Sequence, residues 1–207
     1  MIPKVIHKVI LDGVTPKPLS SFISANPGYE VKVYNTEDCE EYILKNFSEK
    51  TLKLFQKLKP HAFKVDFFVS LVLYNEGGWY SEAGQYAVES FDLLCVTGHA
   101  FYMCNSDGKG LCTDFFGCIP KHPVFKKLIE LTKLNIRWSH YGTDPLRVTG
   151  ANAFMEAVVD FIDDSFCIGK YTDDGFVVFK DDAIIKHTNM IDLQEAAAQW
   201  SQKDMYH

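Results

Sequence analysis

Residues 63–84 read F-K-V-D-F-F-V-S-L-V-L-Y-N-E-G-G-W-Y-S-E-A-G and decide the fold of this chain. The stretch begins as an apolar helix that a single carboxylate, Asp66, interrupts. The helix is expected to end at Gly77 and Gly78, and a short extended segment carrying Glu82 follows. An ionised Asp in an apolar helix is costly unless a polar or cationic group meets it. The stretch therefore predicts a buried helix that delivers carboxylates to a ligand.

The composition is typical of one folded domain. The chain has 207 residues, of which 47% are hydrophobic and 14% aromatic, enough for a substantial core. Its formal net charge of −6 gives no basic footprint for nucleic acid or for an anionic membrane surface. No apolar run reaches the roughly 18 residues of a membrane span. The chain opens directly into a β-rich segment without a secretory signal, so we expect a cytoplasmic protein.

The cysteines show no spacing typical of a metal site. None of the six forms a C-x-x-C pair, and most of them lie in apolar sequence. We therefore expect reduced thiols in the core, with neither disulfides nor structural zinc.

Segments typical of strands and helices alternate along the chain. Strands are predicted over Val5–Leu11, Tyr29–Tyr34, Ala100–Cys104 and Cys112–Ile119, with short strands between Phe166 and Lys186. Helices are predicted over Leu19–Ala25, from an N-cap at Thr36 to Phe47, over Ser48–Lys59, Phe63–Glu76, Pro123–Trp138 and Gly150–Phe161, and around Trp200. This alternation favours a single α/β domain over residues 1–207, with a mostly parallel central sheet flanked by helices and a late antiparallel element.

Open sheets of this kind bind ligands at the carboxyl ends of their strands. No G-x-G-x-x-G motif follows the first strand, and no P-loop occurs anywhere in the chain. Dinucleotide chemistry and kinase-like chemistry on a nucleoside triphosphate are therefore disfavoured.

Three short pieces of sequence occur in an order that is hard to obtain by chance. They are Ile2-Pro3-Lys4-Val5-Ile6-His7, then Asn26-Pro27-Gly28-Tyr29-Glu30, then Lys64-x-Asp66 with Leu73-Tyr74-x-x-Gly77-Gly78-x-Tyr80. Pro120-Lys121-His122-Pro123 and Thr149-Gly150 come later in the chain. Together they resemble glycosyltransferase family 32, the DXD sugar transferases of the GT-A fold. The resemblance covers about the first 85 residues well and the remainder loosely.

The resemblance implies a fold and an activity. The fold would be a GT-A-like nucleotide-diphospho-sugar transferase domain. The activity would be transfer of a hexose, with retention, from a UDP- or GDP-linked donor to a glycan or small acceptor, as in polysaccharide biosynthesis. Mn²⁺ or Mg²⁺ held by carboxylates would neutralise the charge that builds up on the departing diphosphate. Both ions prefer oxygen ligands.

Site residues follow from the resemblance and from local chemistry. We predict Asp66 as a polar group near the donor sugar, and Asp114 as a carboxylate that orients the acceptor or stabilises an oxocarbenium ion. Glu82 and His187 are the predicted metal ligands. The predicted donor-binding residues are Ile6, His7, Asp66, Gly77, Gly78, Tyr80, Thr149 and Gly150.

Several of these residues also have a purely structural interpretation. Asp66 and Asp114 could accept hydrogen bonds from neighbouring backbone, and Gly77 and Gly78 could only cap a helix. Glu82 could be a solvated turn residue. His7 and His187 could be satisfied histidines of strands.

The chain departs from the family pattern at functional positions. Gly84 stands where the second Asp of the DXD motif is expected, and Val69 stands where an Arg is expected. Ile10 replaces a Trp, and Ala151 replaces a Pro. These departures leave a second hypothesis open, that of a catalytically impaired relative which binds a nucleotide-sugar or a protein partner.

Three pairs of adjacent aspartates resemble displaced metal motifs. They are Asp163-Asp164, Asp173-Asp174 and Asp181-Asp182. All three fall at predicted turns, so we interpret them as solvated carboxylates.

Overall fold

A mixed β-sheet runs through the middle of the protein. The computed structural model describes residues 1–11, 19–106, 110–140, 144–179, 182–187 and 206, with only the backbone described at residues 106 and 187. Within these ranges nine strands pair in the order β2-β1-β3-β6-β5-β7-β8-β9-β4. They are β1 (Val5–Val9), β2 (Glu30–Tyr34), β3 (Gly78–Ser81), β4 (Gln85–Ala87), β5 (Phe101–Ser106), β6 (Gly110–Cys118), β7 (Phe166–Tyr171), β8 (Phe176–Phe179) and β9 (Asp182–His187).

The prediction of a mostly parallel sheet is wrong. β1 pairs in parallel with β2 and β3, and β5 pairs in parallel with β7. The other five described pairings are antiparallel. The connections from β5 to β6, from β7 to β8 and from β8 to β9 span only a few residues. A parallel pair needs a crossover of about a dozen residues, so these short connections force antiparallel pairing.

Seven α-helices are described around the sheet. They are α1 (Ser20–Ala25), α2 (Thr36–Asn46), α3 (Glu49–Lys57), α4 (His61–Glu76), α5 (Asp92–Cys95), α6 (Pro123–Arg137) and α7 (Ala151–Val158), with a 3₁₀ turn at Pro145–Arg147. The α/β prediction is confirmed, and the helix predicted around Trp200 lies outside the described residues.

The start of α2 differs from its prediction by one residue. The N-cap is Asn35, and its side chain accepts a hydrogen bond from the backbone of Asp38, whose carboxylate accepts one from the backbone of Asn35. This reciprocal pair is a capping box. Asn35 takes the role because Asn caps helices better than Thr does. The predicted cap of α3 is confirmed, since Ser48 accepts a hydrogen bond from the backbone of Thr51.

The sheet separates two hydrophobic cores. The first core lies under α2, α3, α4, α6 and α7, and α4 contributes seven buried apolar residues to it. The second core lies on the opposite face, between the sheet, α1, α5 and the last strands, and it is built around Trp79. α4 is apolar on nearly all sides because it is the innermost helix of the first core.

The two glycines after α4 are required by close packing. Gly77 has φ +66°, and a Cβ there would lie 2.6 Å from the backbone nitrogen of Pro120. Gly78 has φ +94°, and a Cβ there would lie 2.7 Å from the carbonyl oxygen of Val5. Positive φ at both positions favours glycine. The pair therefore ends α4 and allows β3 to lie against β1.

All six cysteines are free thiols, as predicted. Cys39, Cys104 and Cys118 are buried in the two cores. In the part of the chain that the structure describes, no helix is both long enough and apolar enough to cross a bilayer.

Candidate active site

Asp66 projects from α4 towards the loop that precedes α7. Its Oδ2 accepts a hydrogen bond of 3.2 Å from the hydroxyl of Thr149, and the hydroxyl of Thr113 also bonds to the carboxylate. Asp66 keeps part of its surface exposed, yet the protein encloses most of its carboxyl group. This burial raises the pKa of Asp66 to about 7, and the negative charge of Glu82 acts in the same direction.

A small cavity lies beside the Asp66 carboxylate. Its volume is about 10 Å³. Its polar lining consists of Asp66, Thr113 and Thr149, and its apolar lining consists of Val69, Phe116, Phe125 and Leu128. A space of this size accommodates about one water molecule or one hydroxyl group. The cavity therefore combines one carboxyl group and two hydroxyls in a setting that suits a single polar group.

The loop before α7 is held in place by two amide side chains. Asn135 of α6 donates hydrogen bonds of 2.9 and 3.2 Å to the carbonyl oxygens of Arg147 and Val148. Asn152 of α7 donates to both carboxylate oxygens of Asp144, each at 3.0 Å. These contacts fix the position of the residues that follow, Thr149 and Gly150.

Gly150 lies directly against Asp66. A Cβ at Gly150 would lie 3.5 Å from Oδ2 of Asp66, which is ordinary van der Waals contact. Thr149 is buried, and its hydroxyl points at the same oxygen. The structure therefore brings together three residues predicted from the sequence, Asp66, Thr149 and Gly150, and adds Thr113 to them.

The segment after β3 carries Glu82 to the edge of the sheet. The backbone nitrogen of Glu82 donates to the carbonyl oxygen of Asp114 at 2.9 Å and to Oε1 of Gln85 at 3.1 Å. Gln85 is fully buried, and its Oε1 also accepts from the hydroxyl of Ser81 at 2.7 Å. The backbone of Glu82 is therefore fixed by the side chain three residues further along the chain.

Asp114 belongs to a polar network in the second core. Its Oδ2 accepts a hydrogen bond from the hydroxyl of Tyr171, and that hydroxyl accepts from Nε2 of Gln85 at 2.8 Å. Burial and the charge of Asp114 raise the pKa of Tyr171 far above its ordinary value. The tyrosine therefore stays protonated and donates to the carboxylate.

Asp66 and Asp114 lie on opposite faces of the sheet. Thr113 and Asp114 are neighbours in β6, so their side chains point in opposite directions. Thr113 bonds to Asp66 on the side of the first core, whereas Asp114 bonds to Tyr171 in the second core. The two predicted catalytic carboxylates are therefore separated by the strand between them.

Lys8 is a residue of this region that the sequence analysis missed. It lies in β1 and is 1% exposed, and its Nζ donates to the carbonyl oxygen of Glu82 at 2.6 Å and to the hydroxyl of Ser81 at 3.3 Å. Burial lowers the pKa of Lys8 to about 7, although the charge of Glu82 works against this shift. A lysine inside a buried strand was the available signal, because lysine is almost never fully buried without a partner.

Three of the predicted donor-binding residues are buried in the protein. Ile6 is fully buried in the second core, and Tyr80 is buried in the first, stacked on Phe116. Both ring nitrogens of His7 are engaged, Nδ1 with the hydroxyl of Tyr34 at 3.1 Å and Nε2 with the carbonyl oxygen of Gly77 at 3.0 Å. Ile6 therefore has no polar side-chain group to offer, and both nitrogens of His7 are satisfied within the protein.

Gly77 and Gly78 lie at the amino end of β3, away from Glu82 at its carboxyl end. Four strand residues separate the two ends, which corresponds to about 13 Å. Their close contacts are with Val5, Cys118 and Pro120. Packing against the protein's own backbone therefore accounts for both glycines.

The described residues do not fit a divalent metal site. No three His, Cys, Asp or Glu side chains among them are close enough to hold a metal ion. Glu82 is the single carboxylate of its segment, and Gly84 supplies no ligand. The side chain of the other predicted ligand, His187, lies outside the described residues, although its backbone pairs with Gln85. One carboxylate beside a buried ammonium group is a poor match for Mn²⁺ or Mg²⁺.

The aspartate pairs outside this region are at the surface. Asp163, Asp164, Asp173 and Asp174 are exposed, in agreement with their interpretation as turn residues. Asp182 is also exposed, and Asp181 lies outside the described residues.

Comparison with known proteins identifies similarity to glycosyltransferases. No protein-family profile matches the chain. It is 23% identical over 177 residues to an uncharacterized glycosyltransferase of Acanthamoeba polyphaga mimivirus, an alignment that covers 78% of this chain and 66% of that protein. It is 25% identical over 160 residues to inositol phosphoceramide mannosyltransferase 2 of Schizosaccharomyces pombe, covering 72% of this chain and 46% of that protein. The chain therefore spans about two thirds and about half of the lengths of these two relatives.

A solved structure with a similar fold is also a glycosyltransferase. The PaToxG glycosyltransferase superposes with a TM-score of 0.59 at 16% sequence identity, over 78% of this chain and 69% of that one. The narrower resemblance to family 32 and its DXD motif stays a prediction. The protein is thus similar in sequence to glycosyltransferases and has an α/β glycosyltransferase fold.

Proposed function

We propose that the protein transfers a hexose from a UDP- or GDP-linked donor to a glycan or small acceptor, with retention of configuration. The donor sugar would lie at the carboxyl ends of β1 and β3, next to Asp66. The similarity to glycosyltransferases supports the reaction class. The donor, the acceptor and the stereochemistry are parts of the proposal.

The observation that carries this proposal is the setting of Asp66. A carboxyl group in a cavity with two threonine hydroxyls can accept and donate hydrogen bonds, as recognition of a sugar hydroxyl requires. A purely structural aspartate at this depth would be expected to have a cationic partner or several backbone donors. Burial instead raises the pKa of Asp66 to about 7, and carboxyl groups with a raised pKa are common at catalytic and binding sites.

Within this proposal the residues have separate roles. Asp66, Thr149 and Gly150 orient the donor sugar, because Asp66 and Thr149 line the cavity and Gly150 lies against the carboxylate of Asp66. Glu82 lies at the carboxyl end of β3, where the diphosphate would lie. Asp114 lies on the opposite face of the sheet, so it would act on the donor site indirectly, through its carbonyl oxygen, which accepts a hydrogen bond from the backbone nitrogen of Glu82.

The second candidate function is that of a relative that binds a nucleotide-sugar without transferring it. The observation that favours it is the apolar wall of the cavity. Val69 lines the cavity where the family resemblance places an Arg, so no guanidinium reaches the donor from that position. Gly84 likewise supplies no second carboxylate.

Release of UDP or GDP from a panel of UDP- and GDP-hexoses separates these functions. We expect slow hydrolysis of one donor by the wild-type protein, and a loss of about 10- to 100-fold in Asp66→Asn, the size expected for a hydrogen bond to a charged group. Asp160→Asn is the matched control, because Asp160 is an exposed carboxylate paired with Lys127 away from the cavity. Binding of a donor without any hydrolysis or transfer would favour the second candidate, and absence of binding to every donor would contradict both.

A further inference from the structure

Lys8 is the one buried Lys or Arg among the described residues. Besides its hydrogen bonds to Glu82 and Ser81, its Nζ lies 4.1 Å from the centre of the Phe22 ring. These contacts hold the amine beneath the segment that carries the carboxylate of Glu82. The placement is specific, because the two oxygens and the ring fix the nitrogen from three directions.

A structural role alone does not account for a cation at this position. The carbonyl oxygen of Glu82 and the hydroxyl of Ser81 could be satisfied by the amide of a glutamine without the cost of burying a charge. Lys8 is 1% exposed, so its charge is almost wholly removed from water, and that removal is costly. An ammonium group kept under these conditions is expected to serve a negative ligand, because such a ligand restores the lost stabilisation.

The net charge around Glu82 also supports a role for Lys8 in binding an anion. A divalent ion with two carboxylates has a net charge of zero (+2 − 2), and Lys8 with Glu82 has the same net charge (+1 − 1). A divalent ion placed beside Glu82 would instead lie close to the ammonium group of Lys8 and would be repelled by it. Loss of the second carboxylate at Gly84 and the presence of Lys8 therefore compensate each other.

We propose that the ammonium group of Lys8 is the cation of the donor site, so that the diphosphate of a nucleotide-sugar binds without a divalent metal. This inference rests on the proposed function and specifies which group balances the negative charge of the diphosphate. Lys8 acts electrostatically from beneath the acidic segment, and no bond to it forms or breaks. A fixed charge in a water-poor site stabilises a nearby anion more strongly than the same charge in water does.

Calorimetric titration of UDP, GDP and their hexoses into the full chain tests the inference. Each ligand is titrated once in EDTA and once in Mn²⁺, with the wild-type protein, Lys8→Met and Lys32→Met. Lys32 is the matched control, because it lies on the adjacent strand β2 and pairs with Glu76. We expect wild-type affinity to be the same in EDTA and in Mn²⁺, about 30-fold weaker in Lys8→Met, and unchanged in Lys32→Met.

The outcomes distinguish this inference from the proposed function. Binding by the wild-type protein that requires Mn²⁺ would overturn the role of Lys8 and leave the transferase proposal standing. Unchanged affinity in a folded Lys8→Met protein would also overturn it. No binding of any ligand in either buffer would contradict the proposed function itself. If Lys8→Met does not fold, as judged by its thermal unfolding, the comparison of EDTA with Mn²⁺ in the wild-type protein decides the question alone.

Discussion

The hydroxyl of Thr149 donates a hydrogen bond of 3.2 Å to Oδ2 of Asp66, joining two residues that are 83 positions apart in the chain. This bond connects the innermost helix, α4, to the loop before α7. It also stabilises the ionised form of Asp66, and so opposes the effect of burial on its pKa. The protonation state of Asp66 therefore depends on a loop that the amides of Asn135 and Asn152 hold in place.

Asp66→Asn should make the protein more stable at pH 8. A raised carboxyl pKa means that the folded state holds its proton more tightly than the unfolded state, so wild-type stability falls as pH rises from about 4 to about 7. Asn keeps an acceptor for Thr149 without the charge. We expect the free energy of unfolding at pH 8 to rise by about 2 kcal/mol. This is less than the free energy that corresponds to the full pKa shift, because Asp66 is partly exposed.

Urea unfolding at pH 5 and pH 8, followed by tryptophan fluorescence, measures this effect. The gain should be about three times as large at pH 8 as at pH 5, because the unfolded carboxyl is already ionised at pH 5, and donor turnover should fall. A variant that is destabilised equally at both pH values would show that Asp66 is a structural carboxylate instead.

Thr149→Val should raise the pKa of Asp66 further. The variant removes a hydrogen bond to the ionised carboxylate at nearly constant volume, so we expect an upward shift of about one unit. Thr132→Val is the matched control, since Thr132 is equally buried but lies in α6 and does not line the cavity. Titration of the Asp66 side-chain carboxyl by ¹³C NMR gives the value directly. An unshifted pKa in Thr149→Val would mean that the bond to Thr149 contributes nothing to the ionised state.

Much of the fold is predictable from local patterns. The helix that ends at Gly77, the cap at Ser48 and the strand at Val5–Val9 each follow from apolar periodicity or from a residue with strong conformational preferences. Whether two strands pair in parallel or antiparallel does not follow from local sequence patterns. It depends on how many residues connect two strands, and that number was uncertain by a few residues at each predicted boundary.

The site was predictable where a residue was chemically conspicuous, and not where it was ordinary. Asp66 was found because it is a carboxylate in an apolar helix. Gln85 and Tyr171 gave no such signal, yet a hydrogen bond of 2.8 Å joins them across 86 positions. Lys8 carried a signal as a lysine in a strand predicted to be buried, but its partners Ser81 and Glu82 lie 73 and 74 positions away and could not be predicted from local sequence.

Gly117→Ala should destabilise the protein. A Cβ at Gly117 would lie 2.3 Å from the ring of Trp79, which pairs with Gly117 across β3 and β6 and is itself fully buried. Overpacking of a rigid ring of this kind costs about 1–3 kcal/mol. Gly28→Ala is the matched control, because a Cβ there meets nothing within 4 Å. Urea unfolding of both variants should show a loss in the first alone, and equal stability of the two would mean that Trp79 moves aside freely.

Acidification should destabilise the fold through His7 and His122. Burial lowers the pKa of each to about 4, so both are neutral in the folded state, whereas unfolded histidines bind protons below about pH 6.5. Stability from this source is therefore lost as pH falls from about 6.5 to about 4, by about 2 kcal/mol for each histidine. Asp66 has the opposite pH dependence in this window, so the measurement uses the Asp66→Asn protein.

Adding His122→Asn to that protein isolates one of the two histidines. His122 caps α6 by accepting from the backbone of Val124, and Asn retains this capping ability. We expect the double variant to lose about 2 kcal/mol less stability between pH 6.5 and pH 4 than Asp66→Asn does. Identical pH dependence of the two proteins would show that His122 is protonated in the folded state.

Asp114 and Tyr171 should behave as one unit in stability. The tyrosine hydroxyl links the Asp114 carboxylate to Gln85, which in turn holds the backbone of Glu82. Removal of either partner leaves a buried polar group without its hydrogen bond, so Asp114→Ala and Tyr171→Phe should each cost about 1–3 kcal/mol. The double variant should cost less than the sum of the two, with a coupling of about 1–2 kcal/mol. Urea unfolding of the wild-type protein, the two single variants and the double variant measures the coupling. Strictly additive losses would mean that the two side chains act independently. The backbone contact of Asp114 with Glu82 would then be its remaining link to the site.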